Sequence, residues 1–169
     1  QEVRIRRRWL GGQRHSKGRD ASAISHHYDV SNTFYEWVLG PSMAYTCACY
    51  PREDATLEEA QANKFDLVCR KIGLRPGMTL LDVGCGFGGL GRSLSQRGTH
   101  ELYGVELNPA AAAQLSGVYR EYWIGDVETV SIPEREQFFD CIVFADILEH
   151  LVDPWAALRL YLRYLSPGG

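Results

Sequence analysis

Between residues 80 and 89 the chain reads Leu80-Leu81-Asp82-Val83-Gly84-Cys85-Gly86-Phe87-Gly88-Gly89. An apolar run that breaks into glycines is a strand feeding a tight turn, where the missing Cβ atoms let a ligand approach the backbone. Glu106 stands twenty residues beyond Gly86, the spacing at which a carboxylate at the end of the second strand can accept from both hydroxyls of a ribose. Asp126 follows a third apolar run in Gly125-Asp126-Val127, where it can accept from an adenine amino group. Gly84, Gly86 and Gly89 also satisfy the dinucleotide pattern, so a nicotinamide or flavin oxidoreductase competes, and a purely structural glycine turn is the plainest alternative. Asp82 argues against a dinucleotide, because a pyrophosphate repels a nearby carboxylate. S-adenosylmethionine carries an ammonium, a sulfonium and no phosphate. Acids at Asp82, Glu106 and Asp126 together suit such a cationic nucleoside, and methyl transfer is the favoured chemistry.

The elements that must hold these residues are legible. Residues 79–83 form a short apolar run suited to a buried parallel strand. A helix to Arg97, a strand over 102–106, an Ala-rich helix from Pro109, strands over 122–124 and 139–145, and a helix over 154–165 behind Asp153 follow. This alternation predicts an α/β fold: a Rossmann-like, doubly wound parallel sheet, cut off after about four strands. Before it the pattern is helical. Asp20 can cap a first helix through Tyr28, and Ser31 a second that carries Phe34, Tyr35, Trp37 and Val38 and ends at Gly40-Pro41. Helical spacing reads Tyr28, Phe34 and Trp37 as core. Thr56 and Glu59 form a capping box for a third helix, which lines up Ala60, Phe65, Val68 and Ile72 and stops at Gly73. The expected division is a basic arm and helical cover over 1–76, on the acyl-substrate side, and a cofactor-binding domain over 77–169.

Residues 82–88 resemble motif I of the class I S-adenosylmethionine-dependent methyltransferases. Three preceding segments are more particular: His26-His27-Tyr28-Asp29-Val30-Ser31-Asn32, Gly40-Pro41-Ser42-Met43-Ala44-Tyr45-Thr46-Cys47-Ala48-Cys49-Tyr50, and Ala55-Thr56-Leu57-Glu58-Glu59-Ala60-Gln61. Over about residues 14–89 the chain resembles the cyclopropane-fatty-acid and mycolic-acid synthase family. Over 90–169, Gly104-Val105-Glu106-Leu107-Asn108-Pro109 and residues 139–151 look like a generic class I methyltransferase. Two positions depart from the synthase family: Phe87, where it usually has Trp, and the acidic Glu106.

The resemblance implies S-adenosyl-L-methionine as cofactor, an unsaturated acyl chain or phospholipid as acceptor, and bicarbonate as a general base. Its expected reaction is attack of the alkene on the methyl group, then proton loss from the carbocation to give a cyclopropane or methylene product. It places Tyr45 and Thr46 at the cofactor, where Asp82, Gly84, Cys85, Gly86, Glu106, Leu107, Asp126, Val127 and Ala145 along the strand ends are also expected. Cys47, Glu149, Tyr45 and His150 become the catalytic candidates, with Cys47 and Glu149 seating the base. Residue pattern alone reads Cys47 as a small buried hydrophobe, and Glu149 as a surface acid at a helix start. An O- or N-methyltransferase of a small molecule or glycan precursor, using His150 or Asp146 near its acceptor, stays open. So does a non-catalytic cofactor-binding fragment. The family's further His and Tyr would lie past Gly169, so cofactor binding without efficient alkene methylation is the expectation for this length.

Composition bounds the rest. The 169 residues are 45% hydrophobic and 23% charged, enough for one core. No stretch approaches ~18 apolar residues, so no transmembrane helix is expected, and the basic start lacks the apolar segment of a secretory signal. Gln1 and Pro167-Gly168-Gly169 read as cuts in a longer protein. The net charge of −3 hides an asymmetry: residues 1–20 hold seven Lys and Arg against Glu2 and Asp20. A basic arm on an acidic body suggests peripheral contact with anionic membrane, although a solvated terminus has the same signature. Its single aromatic, Trp9, offers no base-stacking platform, so no nucleic-acid partner is expected. Five scattered cysteines show no metal-site or disulfide spacing, which fits a reducing cytoplasm and no metal. Nothing in the chain specifies an oligomeric state.

Overall fold

The computed structural model describes residues 32–40, 46–98 and 100–169. The basic arm, the helix expected from Asp20, His26-His27, Tyr28 and Tyr45 lie outside the described residues. Helix α1 spans Asn32–Leu39 and stops at Gly40, whose φ of 69° ends a helix in the left-handed region. Trp37 is 81% exposed and Phe34 and Val38 are also exposed, which corrects the reading of Phe34 and Trp37 as core. Spacing at i, i+3 and i+4 defines an apolar stripe, but it does not by itself provide a neighbour to cover it.

Helix α2, Leu57–Lys71, begins at the expected capping box: Glu59 N–H donates to Thr56 Oγ1, and Thr56 N–H donates to the Glu59 carboxylate. It ends in a Schellman motif, with Leu74 N–H donating to Cys69 O and Gly73 N–H to Arg70 O. Strand β1 is Thr79–Val83, followed by α3, Gly89–Ser95, and β2, Glu101–Glu106. The Ala-rich stretch from Pro109 is helical and short. A 3-10 turn over Pro109–Ala111 leads into a single helical turn, α4, Ala112–Leu115, because Gly117 and the start of β3, Glu121–Ile124, leave no room for more. Strand β4, Cys141–Phe144, precedes a 3-10 turn over Leu148–His150 and α5, Pro154–Leu162. Asp153 caps α5 by accepting from Ala156 N–H at 2.9 Å. The helix stops short of 165 because Tyr164 and Leu165 turn to pair with Phe138 and Phe139.

The four strands are parallel in the order β3-β2-β1-β4. Alternation along each strand sends successive side chains to opposite faces. Leu80, Leu102 and Val143 join Cys69, Leu90, Leu94, Leu115 and Tyr119 on one face. Leu81, Val83, Tyr103 and Val105 join Val127, Ile132, Phe139, Tyr161 and Tyr164 on the other. Both faces are therefore covered, as a continuous apolar strand requires. Each fully buried Leu or Val contributes ~1.5–3 kcal/mol relative to exposure. The same alternation puts Asp82 beside Leu80 on the first face, inside the core.

Candidate active site

Chain order reverses at β1, which has β2 on one side and β4 on the other. A crevice at the carboxyl end of the strands is expected at that point, and the sequence-predicted residues gather there. Gly84, Cys85 and Gly86 follow β1, Glu106 ends β2 and Leu107 follows it, Asp126 and Val127 follow β3, and Ala145, Glu149 and His150 follow β4.

The β1–β2 side is laced together by backbone. Gly84 and Cys85 N–H both donate to Val105 O, at 2.8 and 3.0 Å. Glu106 completes the lacing with its side chain: one oxygen accepts from Gly86 N–H at 2.8 Å and the other from Asn108 N–H at 2.9 Å. Gly86 has φ 53° and nothing within 4 Å of where a Cβ would stand, so the turn opens into free space beside this carboxylate. Gly84, with φ 76°, differs, because a Cβ there would lie 2.7 Å from Ile147 Cγ1. Leu107 is 53% exposed, whereas Val127 is buried in the second core cluster. Asp126 is exposed and accepts from Glu128 N–H at 2.9 Å.

Beneath the turn, Asp82 is 4% exposed and accepts from the Tyr119 hydroxyl at 2.7 Å. Burial, reinforced by the nearby Glu106 charge and opposed by the Tyr119 hydrogen bond, pushes the Asp82 carboxyl up to about 6. Two glycines make room for the tyrosine. A Cβ on Gly91 would stand 2.5 Å from the Tyr119 hydroxyl, and one on Gly104 would stand 2.9 Å from Cys85 Sγ. Cys85 is thus turned inward, and burial pushes its thiol well up.

The β4 side is built from side chains distant in sequence. Thr46 Oγ1 donates to Asp146 Oδ2 at 2.5 Å, and Lys64 Nζ donates to Thr46 Oγ1 at 3.0 Å and to Asp146 Oδ2 at 3.3 Å. Cys47, next to Thr46, is exposed, contrary to its pattern-based reading as a buried hydrophobe. Glu149 and His150 are exposed on the 3-10 turn, and among the described residues no hydrogen bond joins Glu149 to Cys47. Ala145 is half-buried against the first core cluster. Tyr119, Ile147 and Lys64 were not anticipated as site residues. Lys64 did carry a signal: it lies midway between Ala60 and Val68 on the packed stripe of α2, where a lysine needs a partner. Among the described residues no cluster of three His, Cys, Asp or Glu side chains is arranged to hold a metal ion. No described helix is long and apolar enough to cross a membrane.

Comparison with known proteins identifies the family. The family model described as mycolic acid cyclopropane synthetase matches residues 15–165, so the likeness continues through the segment beyond residue 89. The chain is 46% identical over 156 residues to a probable fatty acid methyltransferase of Mycobacterium tuberculosis, covering 89% of this chain and 36% of that protein. It is 50% identical over 157 residues to a probable fatty acid methyltransferase of Pseudomonas putida, covering 89% of this chain and 39% of that protein. Among solved structures it is similar to a mycolic acid cyclopropane synthase complexed with SAH and CTAB, at TM-score 0.66 and 33% identity. That match covers 77% of this chain and 47% of the other. The chain therefore spans less than half the length of each of these three relatives.

Proposed function

The chain belongs to the mycolic acid cyclopropane synthetase family, and from that membership we propose that it binds S-adenosylmethionine and methylates the double bond of an unsaturated acyl chain. The observation that carries the cofactor is the pairing of Gly86, open where a Cβ would stand, with the Glu106 carboxylate that holds its N–H. A residue with a side chain at 86 would fill the space a nucleoside needs, so the turn fits the group. When bound, S-adenosylmethionine supplies an electrophilic methyl group on a sulfonium. Glu106 keeps lone pairs beyond the two its backbone donors use, and these accept from the ribose hydroxyls. Asp126 faces solvent past β3 and accepts from the adenine amino group. Asp82 contributes negative charge beneath the turn.

On the acceptor side, Cys47 and Glu149 seat a bicarbonate ion as general base, Tyr45 stabilises the carbocation, and His150 serves the acceptor. An isolated alkene is a weak nucleophile, so the segment around Thr46 and Cys47 must align it and exclude water. The fatty acid methyltransferases among the relatives support an acyl acceptor. An oxygen or nitrogen acceptor deprotonated by Asp146 is less well supported, because that carboxylate is already held by Thr46 and Lys64. Labelled methyl transfer into an oleoyl phospholipid, measured on the protein extended past Gly169, tests the reading. Cys47→Ser and Glu149→Gln should each reduce turnover by ~10²-fold or more, the scale of a positioned general base. Turnover indifferent to both would move the reaction to another acceptor.

A visit to the membrane surface from the cytoplasm is part of the proposal, resting on the seven basic residues among 1–20. Each one that reaches an anionic surface contributes ~1 kcal/mol, and salt should weaken the binding. Deleting residues 1–19 should release the protein from anionic vesicles, and equal binding to neutral vesicles would remove the arm from the proposal.

A further inference from the structure

Lys64, Thr46 and Asp146 meet from three separate segments, 82 and 100 residues apart from Asp146 in sequence. The hydrogen bonds fix a direction. The Lys64 ammonium can only donate, so Thr46 Oγ1 accepts from it and must send its own proton elsewhere. Asp146 Oδ2 receives that proton at 2.5 Å and meets the ammonium at 3.3 Å. The lysine side chain is 20% exposed and the aspartate 43%, so the lysine stem is mostly packed and the ion-pair contact is partly screened.

Asp146 also has φ 55°, a left-handed conformation that Asp tolerates better than most residues and that is sustained where surrounding contacts impose it. Immediately after it, Ile147 occupies the space beside Gly84, and Glu149 and His150 follow on the 3-10 turn. One carboxylate therefore stands where the segment bearing Thr46 and Cys47 meets the loop that reaches back to the glycine turn.

We propose that Lys64 is a positioning residue: by orienting the Thr46 hydroxyl onto Asp146 it latches the Thr46–Cys47 segment to the loop after β4. The consequence for cofactor affinity rests on the S-adenosylmethionine reading above, whereas the latch itself does not. With its proton committed to Asp146 and one lone pair to Lys64, Thr46 meets a ligand as an acceptor.

Two measurements separate the latch from its consequence. Cys49 N–H, which donates to Ala60 O at 3.2 Å, reports the segment by amide hydrogen exchange, and calorimetry with S-adenosylhomocysteine reports the site. Lys64→Met keeps the apolar stem and removes the charge. It should speed exchange at Cys49 about three- to tenfold while the amides of β1 keep their protection, as local opening requires. It should weaken S-adenosylhomocysteine binding by a similar factor. Adding Lys64→Met to Thr46→Val should cause little further change in exchange, because residues acting through one contact are not additive. Unchanged exchange at Cys49, equal acceleration throughout β1, or full additivity with Thr46→Val would each overturn the latch. Wild-type protein that fails to bind S-adenosylhomocysteine would overturn the cofactor reading, with the exchange result still deciding the latch.

Discussion

The two sides of the carboxyl edge are built by different means. On the β1–β2 side the glycine turn is held by main-chain bonds to Val105 and by Glu106, whose two acceptors take Gly86 and Asn108 N–H. On the β4 side the corresponding order comes from side chains: Thr46, Lys64 and Asp146, with Glu149 and Cys47 exposed nearby. Backbone lacing follows from the ladder and turn geometry, which any sequence able to form that turn inherits. A side-chain latch between distant segments depends on particular residues. A site divided this way can keep one cofactor while its acceptor side diverges, and the proposed roles of the two sides follow that division.

Gly84 is where the sides touch, so its replacement should have the largest effect. Gly84→Val places a Cβ against Ile147 and a branched side chain at φ 76°. Backbone strain and overpacking together should cost ~2–5 kcal/mol of stability, read by urea unfolding, and adding Ile147→Ala should restore part of it. Gly86→Val, with open space around its Cβ, should cost only the ~1–2 kcal/mol of left-handed backbone yet remove S-adenosylhomocysteine binding. Equal unfolding midpoints for the two variants would show that the sides are not joined at Gly84.

A second test concerns the floor of the β1–β2 side. Asp82 is held at about 6 against an ordinary 3.8, chiefly by burial. Between those pH values the folded chain binds more protons than the unfolded chain, so the Asp82 contribution to stability falls as pH rises from about 4 to 6, then levels off. Asp140 runs the other way: its carboxyl is lowered by the Thr79 amide and hydroxyl, and its contribution is lost as pH falls through the folded-state value. Subtracting Asp82→Asn from wild type isolates the first effect, since the amide oxygen can still accept from Tyr119. Asp82→Asn should gain stability over wild type across pH 4–6, by at most ~3 kcal/mol. Parallel pH profiles would mean that Asp82 is solvated in solution.

How far each side could be read in advance follows the same division. Strand β1 and the caps at Thr56 and Asp153 were legible because a continuous apolar run and a side chain three residues from its amide are local features. Glu106 was legible because the strand-turn-helix-strand unit fixes its spacing from Gly86. The Ala-rich segment after Pro109 was legible as helical, and Gly117 and the return to β3 limit it to a 3-10 turn and α4. Trp37 and Phe34 misled, since periodicity marks a face without naming its neighbour. In the Thr46–Lys64–Asp146 contact, a lysine on the packed stripe of α2 signals a partner, but nothing local names Thr46 or Asp146. The contact depends on α2 lying near the end of β4, and only tertiary structure supplies that.

The finest distinction between the sides is one of cofactor affinity. Glu106→Ala should weaken S-adenosylhomocysteine binding by ~1.5–3 kcal/mol, the scale for hydrogen bonds to a charged group, and it also frees Gly86 N–H from its 2.8 Å acceptor. Glu106→Gln should recover only part, because an amide offers one oxygen where the carboxylate serves two backbone donors. Glu149→Gln should change the same affinity by less than ~0.5 kcal/mol, as expected for an exposed side chain, while still lowering turnover. If the sides bind independently, the two changes should add in the Glu106→Ala/Glu149→Gln double variant. A Glu149→Gln loss as large as that of Glu106→Ala would place Glu149 at the cofactor. A strongly non-additive double variant would mean that Glu149, and not only the Lys64 latch, helps to shape the nucleoside pocket, and the assignment of Glu149 to the acceptor half would then fail.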